Sequence, residues 1–253
     1  RLIYSRLPVS LRRYVIEPII DCLPDRPQKK GAINLLKRFV EGAALPAEAE
    51  HLRWQYFSSR DKDSRLFTSR FLDQIKLDPF EPIRRHAAKA SHADRLSREL
   101  YTDLRLTMAD SVLMKVDKMS MATSLEVRVP FLDHKLVEFA ARIPSSMKFP
   151  GIRTRAIYRK AMTGILPPFV LERGKQGYSL PLKTWLRGEL RDYMTTLLNT
   201  SPLIQEHMQL DYINNLIDEH MRQVHNHNHV LWALMNVALW HRRFIEADAP
   251  RSA

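Results

Sequence analysis

Apolar residues recur at three- and four-residue intervals along nearly the whole chain, the spacing of one face of an α-helix. From Pro8 to Leu23 the marked positions are Leu11, Val15, Ile19 and Cys22, and Pro18 should kink or divide this first helix. Pro24 and Pro27 close it, with Asp25 between them as turn material. A second helix runs from Gln28 to about Ala44 on Ile33, Leu36, Phe39 and Val40. Pro46 starts a third, with Leu52, Tyr56 and Phe57 inward, and Ser64 to Ile75 forms a fourth on Leu66, Phe67 and Phe71. The stretch Asp78-Pro79-Phe80-Glu81-Pro82 breaks the pattern before it resumes through Ile83 and Ala87.

The longest periodic segment, Asp94 to about Ser124, carries Leu96, Leu100, Leu104, Leu113, Val116 and Met119, with an interruption expected near Thr107 to Asp110. Glu126 to Leu132 is too short and proline-broken for a helix. Asp133 then reads as the N-cap of a helix through Leu136, Phe139 and Ala140 that Pro144 ends. Thr154 to Thr163 is helical, Pro167 starts another turn, and Arg173 to Pro181 is a glycine-bearing loop. Helices over Leu182 to Leu198, Asp211 to Val224 and Val230 to Ala247 complete the chain, with a frayed tail beyond Asp248. The expected class is all-α, in three successive parts of one incomplete domain: 1–92, 93–200 and 201–253.

Composition narrows the functional classes. Among 253 residues there are only 7 glycines and 15 prolines. No pair of glycines has the spacing of a Walker loop or a dinucleotide fingerprint, and a glycine-turned β-sandwich or barrel is disfavoured. The single cysteine, Cys22, leaves no intrachain disulfide and fits a reducing, cytoplasmic setting. No apolar run reaches the roughly 20 residues of a membrane span. The chain opens Arg1-Leu2-Ile3-Tyr4 and reads as a piece of something longer.

Lys and Arg total 40 against 28 Asp and Glu, a formal charge of +12. The basic residues are scattered in pairs such as Arg12-Arg13, Lys29-Lys30, Arg84-Arg85 and Arg242-Arg243, without a like-charged block. Solvated helix faces account for most of them, and no nucleic acid is expected as a partner. Trp54, Tyr56, Trp232 and Trp240 fall at core-like helical positions rather than among the basic residues as a single-strand platform would need.

Three constellations could carry chemistry. The first places Asp117, Glu126, Arg128 and Asp133 around one helix end and a tight turn beside the apolar run Val129-Pro130-Phe131-Leu132. Arg128 should pair with a carboxylate, either as a buried ion-pair network that pins the turn or as a wall of a site for a charged substrate. The second is Arg173-Gly174-Lys175-Gln176-Gly177-Tyr178-Ser179, where two glycines bracket one lysine. It is either a solvated loop or a mobile cationic lid over phosphates. The third, His225-Asn226-His227-Asn228-His229 with His220 and His241 nearby, shows no carboxylate or cysteine completing a metal site, so no metal is assigned.

The first constellation resembles the signature of the asparagine synthetase family. Leu113, Lys115, Asp117, Lys118, Ser120-Met121-Ala122, Ser124, Glu126, Arg128 and Pro130-Phe131-Leu132-Asp133 match it in order. Ile152 to Arg159, Leu166-Pro167, Arg173 to Pro181 and Trp185-Leu186 resemble that family's next block. The likeness covers about Tyr101 to Tyr193. It implies the helical C-terminal portion of an α/β synthetase domain of the ATP-pyrophosphatase (adenine nucleotide alpha hydrolase-like) type.

What it implies for function is an ATP- and Mg2+-dependent amidotransferase. Such an enzyme adenylates the aspartate side-chain carboxylate and then forms the amide with glutamine-derived ammonia. A sugar, peptide or β-lactam-type carboxylate is the alternative acceptor, and a homodimer is an open assembly. Lys175 matches the loop lysine that neutralises charge on departing pyrophosphate. Asp117, Glu126, Arg128, Asp133 and Arg173 match motif positions that support the site. The family's Ser-Gly-Gly-x-Asp-Ser nucleotide loop and its glutaminase part are not in this chain, and Arg155 stands where the family usually has Lys. ATP and Mg2+ are therefore expected to be held mainly by residues outside it, leaving the 253 residues alone inactive. A basic nucleic-acid-binding module and a catalytically dead interaction domain are the readings from other classes.

Overall fold

A computed structural model describes residues 7–21, 23, 33, 36–37, 39–40, 45–55, 60–151, 154–174 and 180–246. Among these the chain is helical, with two isolated bridges and no strands, in agreement with the all-α expectation. Backbone contacts divide it into two compact units, Arg1–Leu77 with Ser179–Ala253, and Asp78–Tyr178.

In the first unit, helix α1 (9–21) contains a run of wide turns at Arg12–Ile16. The Glu17 N–H reaches back five residues to the Arg12 carbonyl. Pro18 supplies the cause, since its ring excludes a regular bond to the carbonyl four residues earlier. The helix therefore widens where the sequence predicts a kink. Cys22, Tyr56 and Phe57 lie outside the described residues.

The predicted single helix from Ser64 to Ile75 is two, α2 (Arg60–Leu66) and α3 (Ser69–Gln74). Thr68 divides them by capping α3: its hydroxyl oxygen accepts the Phe71 N–H at 3.3 Å. At the break the Thr68 N–H donates to the His207 carbonyl at 2.9 Å, and the Gln209 N–H donates to the Leu66 carbonyl at 2.8 Å.

The C-terminal half of this unit is where the core sits. Its helices are α10 (Leu182–Arg187), α11 (Arg191–Thr200), α12 (Pro202–His207), α13 (Leu210–Met221) and α14 (Asn228–His241), the last running into wide turns at Arg242–Glu246. The predicted helix from Leu182 to Leu198 is split by a turn over Gly188, Glu189 and Leu190, where the Leu190 N–H returns to the Trp185 carbonyl at 2.8 Å. Ile213, Leu216 and Ile217 of α13 interleave with Leu231, Leu234, Met235 and Ala238 of α14 and Met194, Leu197 and Leu198 of α11 in one buried cluster. In α13 and α14 these are the i, i+3, i+4 rows of a helix face. Leu186 and Ile204 close the cluster, and Trp232 packs on its edge, whereas Trp240 is exposed against its expected core position.

The second unit, which carries both signature blocks, is built on α4 (Glu81–Lys89) and α5 (95–121). Asp94 caps α5, accepting from the Ser97 N–H at 3.2 Å and the Ser145 hydroxyl at 2.7 Å. These bonds hold its carboxyl at a pKa of about 2. The expected interruption near Thr107 is instead a widening, Leu104–Leu113, through which the helix continues. Short helices follow: α6 (His134–Arg142), α7 (Ser145–Lys148), α8 (Ala156–Ala161) and α9 (Pro168–Glu172). Ile83, Ala87 and Thr102 are buried, but Leu100, Val116, Met119, Leu136 and Phe139, all predicted to point inward, are exposed.

Truncating the buried cluster should therefore cost far more than truncating this open face. Leu231→Ala is expected to lower unfolding free energy by about 2–5 kcal/mol. Phe139→Ala, at a side chain 65% exposed, should change it by less than about 0.5 kcal/mol. Urea titrations followed by circular dichroism compare the two.

Candidate functional site

The signature stretch folds as helix end, short coil segment and helix start. α5 stops after Met121, where the Leu125 N–H reaches the Ser120 carbonyl at 3.0 Å. That closure puts Ser124 in the left-handed region at φ 56°. Without the glycine usual at this position, the turn stores backbone strain of about 1–2 kcal/mol. Residues 125–129 then run as coil into a tight turn at Pro130–Leu132. Asp133 caps α6 as predicted, its Oδ1 accepting the Lys135 and Leu136 N–H groups at 3.0 and 3.2 Å.

Arg128 does pair with a carboxylate, that of Glu126, two residues away on the same coil segment. The pair is not buried: the two side chains are 86% and 68% exposed. This corrects the buried-network reading. No other element of this unit covers either side chain, so both stay in solvent. Asp117 is exposed on the last turns of α5, and among the described residues its carboxylate has no hydrogen-bond or ion-pair partner. Of the expected residues the structure thus joins Glu126 to Arg128, commits Asp133 to a helix cap and leaves Asp117 apart. Arg173 is exposed in the coil after α9, its N–H on the Phe169 carbonyl at 3.1 Å. Lys175, with Gln176 to Ser179, lies outside the described residues. Phe131 meets the Tyr158 ring edge-on at 5.8 Å, tying the first signature block to the second. Arg155 begins α8 with a left-handed backbone, φ 58°, an expensive conformation for a residue with a Cβ.

A polar network that the sequence did not announce lies in the first unit. His220 occupies the core stripe of α13 and is fully buried. Its Nδ1 accepts the His227 N–H at 3.2 Å, and its carbonyl accepts from Arg187 Nε at 2.7 Å. Burial, with the nearby charges of Arg187 and His227, holds the imidazole neutral and pushes its pKa down to about 4. The His227 Nε2 meets Glu219 Oε2 at 2.6 Å. A carboxylate therefore does stand beside the histidine run, contrary to expectation. Burial works against ionising Glu219, yet its bonds with His227 and Asn215 hold its pKa below the usual range. The signal for His220 was its position seven residues after Ile213, on the buried row. Among the described residues no group of three or more His, Cys, Asp or Glu side chains is placed to hold a metal, so those residues do not form a Mg2+ site. No helix of the described residues is long and apolar enough to cross a membrane.

The sequence pattern of the asparagine synthase family matches residues 12–242. The chain is similar to asparagine synthetase (glutamine-hydrolysing) 1 of Bacillus subtilis, at 32% identity over 157 residues, 62% of this chain and 24% of that protein. A Mycobacterium tuberculosis protein provisionally named asparagine synthetase (glutamine-hydrolysing) is 30% identical over 253 residues, covering 95% of this chain and 37% of its own length. Asparagine synthetase (glutamine-hydrolysing) 3 of Bacillus subtilis is 46% identical over 85 residues, 34% of this chain and 14% of that protein. The chain thus spans well under half the length of these curated relatives. No solved structure matches it.

Two outcomes follow from the geometry. Arg128→Ala should leave the melting temperature within about 2 °C of wild type, because it removes a solvated ion pair worth at most about 1 kcal/mol. For His220 the folded form binds its proton less readily than the unfolded form. Its stabilising contribution is complete above pH 6.5 and is lost as pH falls toward about 4. Unfolding midpoints in urea measured across that window should fall on acidification. In His220→Gln the fall should shrink by on the order of 3 kcal/mol.

Proposed function

Because this chain belongs to the asparagine synthase family, we propose that it is the helical part of the synthetase domain of an ATP-dependent amidotransferase that makes asparagine from aspartate. In the proposed reaction an oxygen of the aspartate side-chain carboxylate attacks the α-phosphorus of ATP. Pyrophosphate leaves and a mixed carboxyl–phosphoryl anhydride remains. Ammonia released from glutamine then attacks the acyl carbon, and AMP departs with the electrons of the broken bond. The observation that carries this reading is the family match over residues 12–242, which contains both signature blocks in order.

In this scheme Lys175 is the catalytic residue. A lysine ammonium on a loop bracketed by Gly174 and Gly177 can approach the pyrophosphate and offset the charge that accumulates as the α–β bond breaks. Arg173, two residues earlier, adds a second cation to the same loop. Asp117, Glu126, Arg128 and Asp133 support the site: Asp133 by fixing the start of α6, and Arg128 and Glu126 by presenting a paired, solvent-facing edge to a charged substrate. Mg2+ would supply screening of the phosphate charge. Its carboxylate ligands would come from outside the described residues.

The experiment is an assay of AMP formation with aspartate, glutamine, ATP and Mg2+. The 253-residue chain alone should form no AMP, and adding the Lys175→Ala change to a full-length enzyme bearing this chain should lower AMP formation by about 10²–10³-fold while sparing glutamine hydrolysis. An unchanged synthetase rate removes Lys175 from the mechanism. Amide formation on another carboxylate in preference to aspartate overturns the acceptor.

A further inference from the structure

Along Asn228–His241, helix α14 carries no Lys, Arg, Asp or Glu. Its burial nevertheless follows a regular helical row. Leu231, Leu234, Met235 and Ala238 face the core, while His229, Ala233, Asn236, Val237 and Trp240 face outward. The neighbouring α13 has an ordinary solvent face, with Asp211, Asn214, Asn215 and Asp218 outward. A helix that is apolar on both sides belongs between two apolar surroundings, and the core supplies one of them. We propose that the outer face of α14, with the wide turns that end it, is a surface that docks on an anionic lipid membrane. The inference is independent of the reaction proposed above.

The apolar row strengthens toward its C-terminal end. Trp240 is 54% exposed and Phe244 57%, with their ring centroids 6.4 Å apart and with Val237 and Ile245 exposed as well. The Asn236 amide nitrogen is spent on the Trp232 carbonyl of its own helix at 2.7 Å. Arg242 and Arg243, both exposed, stand at the same end. Arg242 donates to the Tyr193 hydroxyl of α11 at 3.5 Å, which adds a third half-exposed aromatic ring to the strip.

The acids on these elements are Glu246, whose Oε1 lies 2.9 Å from His241 Nδ1, and Asp192 beside Tyr193. Arg191, Arg242 and Arg243 outnumber them, and the whole chain carries an excess of 12 positive charges. Trp, Phe, Val and Ile side chains enter the boundary between headgroups and acyl chains, while arginines keep their guanidinium groups at the lipid phosphates. The strip is the convex side of a single helix, so it suits a deformable occupant that needs no matching cavity. The positive charge favours an anionic leaflet over a second copy of this chain, which would repel it.

The test is flotation of the 253-residue chain with lipid vesicles, in which aggregated protein stays at the bottom of the gradient. The chain should float with vesicles of equal parts phosphatidylglycerol and phosphatidylcholine and stay below with phosphatidylcholine alone. Added salt should reduce flotation. Trp240→Ser should weaken partitioning by about tenfold. The double change Arg242→Gln and Arg243→Gln should weaken it by about tenfold or more. Far-ultraviolet circular dichroism shows that each variant is folded. Phe139→Ser, at an exposed ring of the other unit, should float as wild type. No flotation with the anionic vesicles overturns the proposal and leaves the face to a protein partner. Equal flotation with phosphatidylcholine alone, equal weakening by Phe139→Ser, or wild-type flotation of folded Trp240→Ser overturns it as well.

Discussion

The interleaving of α11, α13 and α14 is the constraint on which the C-terminal part of the molecule depends. Each fully buried Leu, Ile or Met in that cluster contributes about 1.5–3 kcal/mol of burial. The contributions agree only if the helices keep one rotational setting. That setting carries His220 inward at the same row as Ile213, Leu216 and Ile217. A polar ring in a close-packed core must find its own hydrogen bonds. It takes one from the backbone of His227, so the turn before α14 is held by the ring of α13. Its carbonyl, in the last turn of α13, accepts from Arg187 Nε at 2.7 Å and from the Gln223 N–H at 3.3 Å. Packing therefore fixes not only the hydrophobic residues but the place of a cation on a third helix.

The unit Asp78–Tyr178 is organised differently. Its folded anchor is polar: Asp94 joins the start of α5 to the start of α7 through Ser97 and Ser145. Its apolar side chains are largely open. Met119, Leu125, Phe131, Phe139 and Phe169 are each more than half exposed. Exposed apolar residues at such density are unusual on a finished surface, where patches are limited and commonly mark contact sites. The curated relatives extend far beyond the part that this chain matches. The contrast between the units is therefore between a core completed within the described residues and an apolar face not completed within them.

That contrast also explains what could be read from the residues. Helical periodicity located α4, α5, α6, α13 and α14, because a helix face repeats whatever lies opposite it. Asp133 was legible as a cap because its oxygen serves N–H groups only two and three residues on. Pro18 was legible as a disturbance because its cause is covalent. Periodicity cannot say whether a face is covered, so Val116, Met119 and Phe139 were expected inside and lie outside. Nor does it show the breaks at Thr68 and Gly188, where the apolar rhythm continues across a turn set by one hydroxyl or one glycine. The candidate site was legible as a motif, in Glu126, Arg128 and Asp133. Its burial was not, since the surroundings of a coil segment are set by what packs over it, which no local spacing encodes.

The charge shows the same division between what is counted and what is placed. An excess of 12 positive charges spread over helices says little by itself, because most of the cations are solvated. Arg95, Arg128 and Arg222 each lie against a carboxylate of their own segment, so their fields are largely cancelled at short range. Arg187 differs: among the described residues it is in no ion pair, and its Nε is held by the His220 carbonyl on a helix pinned by the buried Leu186. A solvated lysine can turn toward any anion and pays in side-chain order when it does. Arg187, already held by its Nε, has lost most of that freedom on folding, so little more need be lost when an anion arrives. It follows that what a cation contributes on this protein is decided less by net charge than by whether the core has already determined its position.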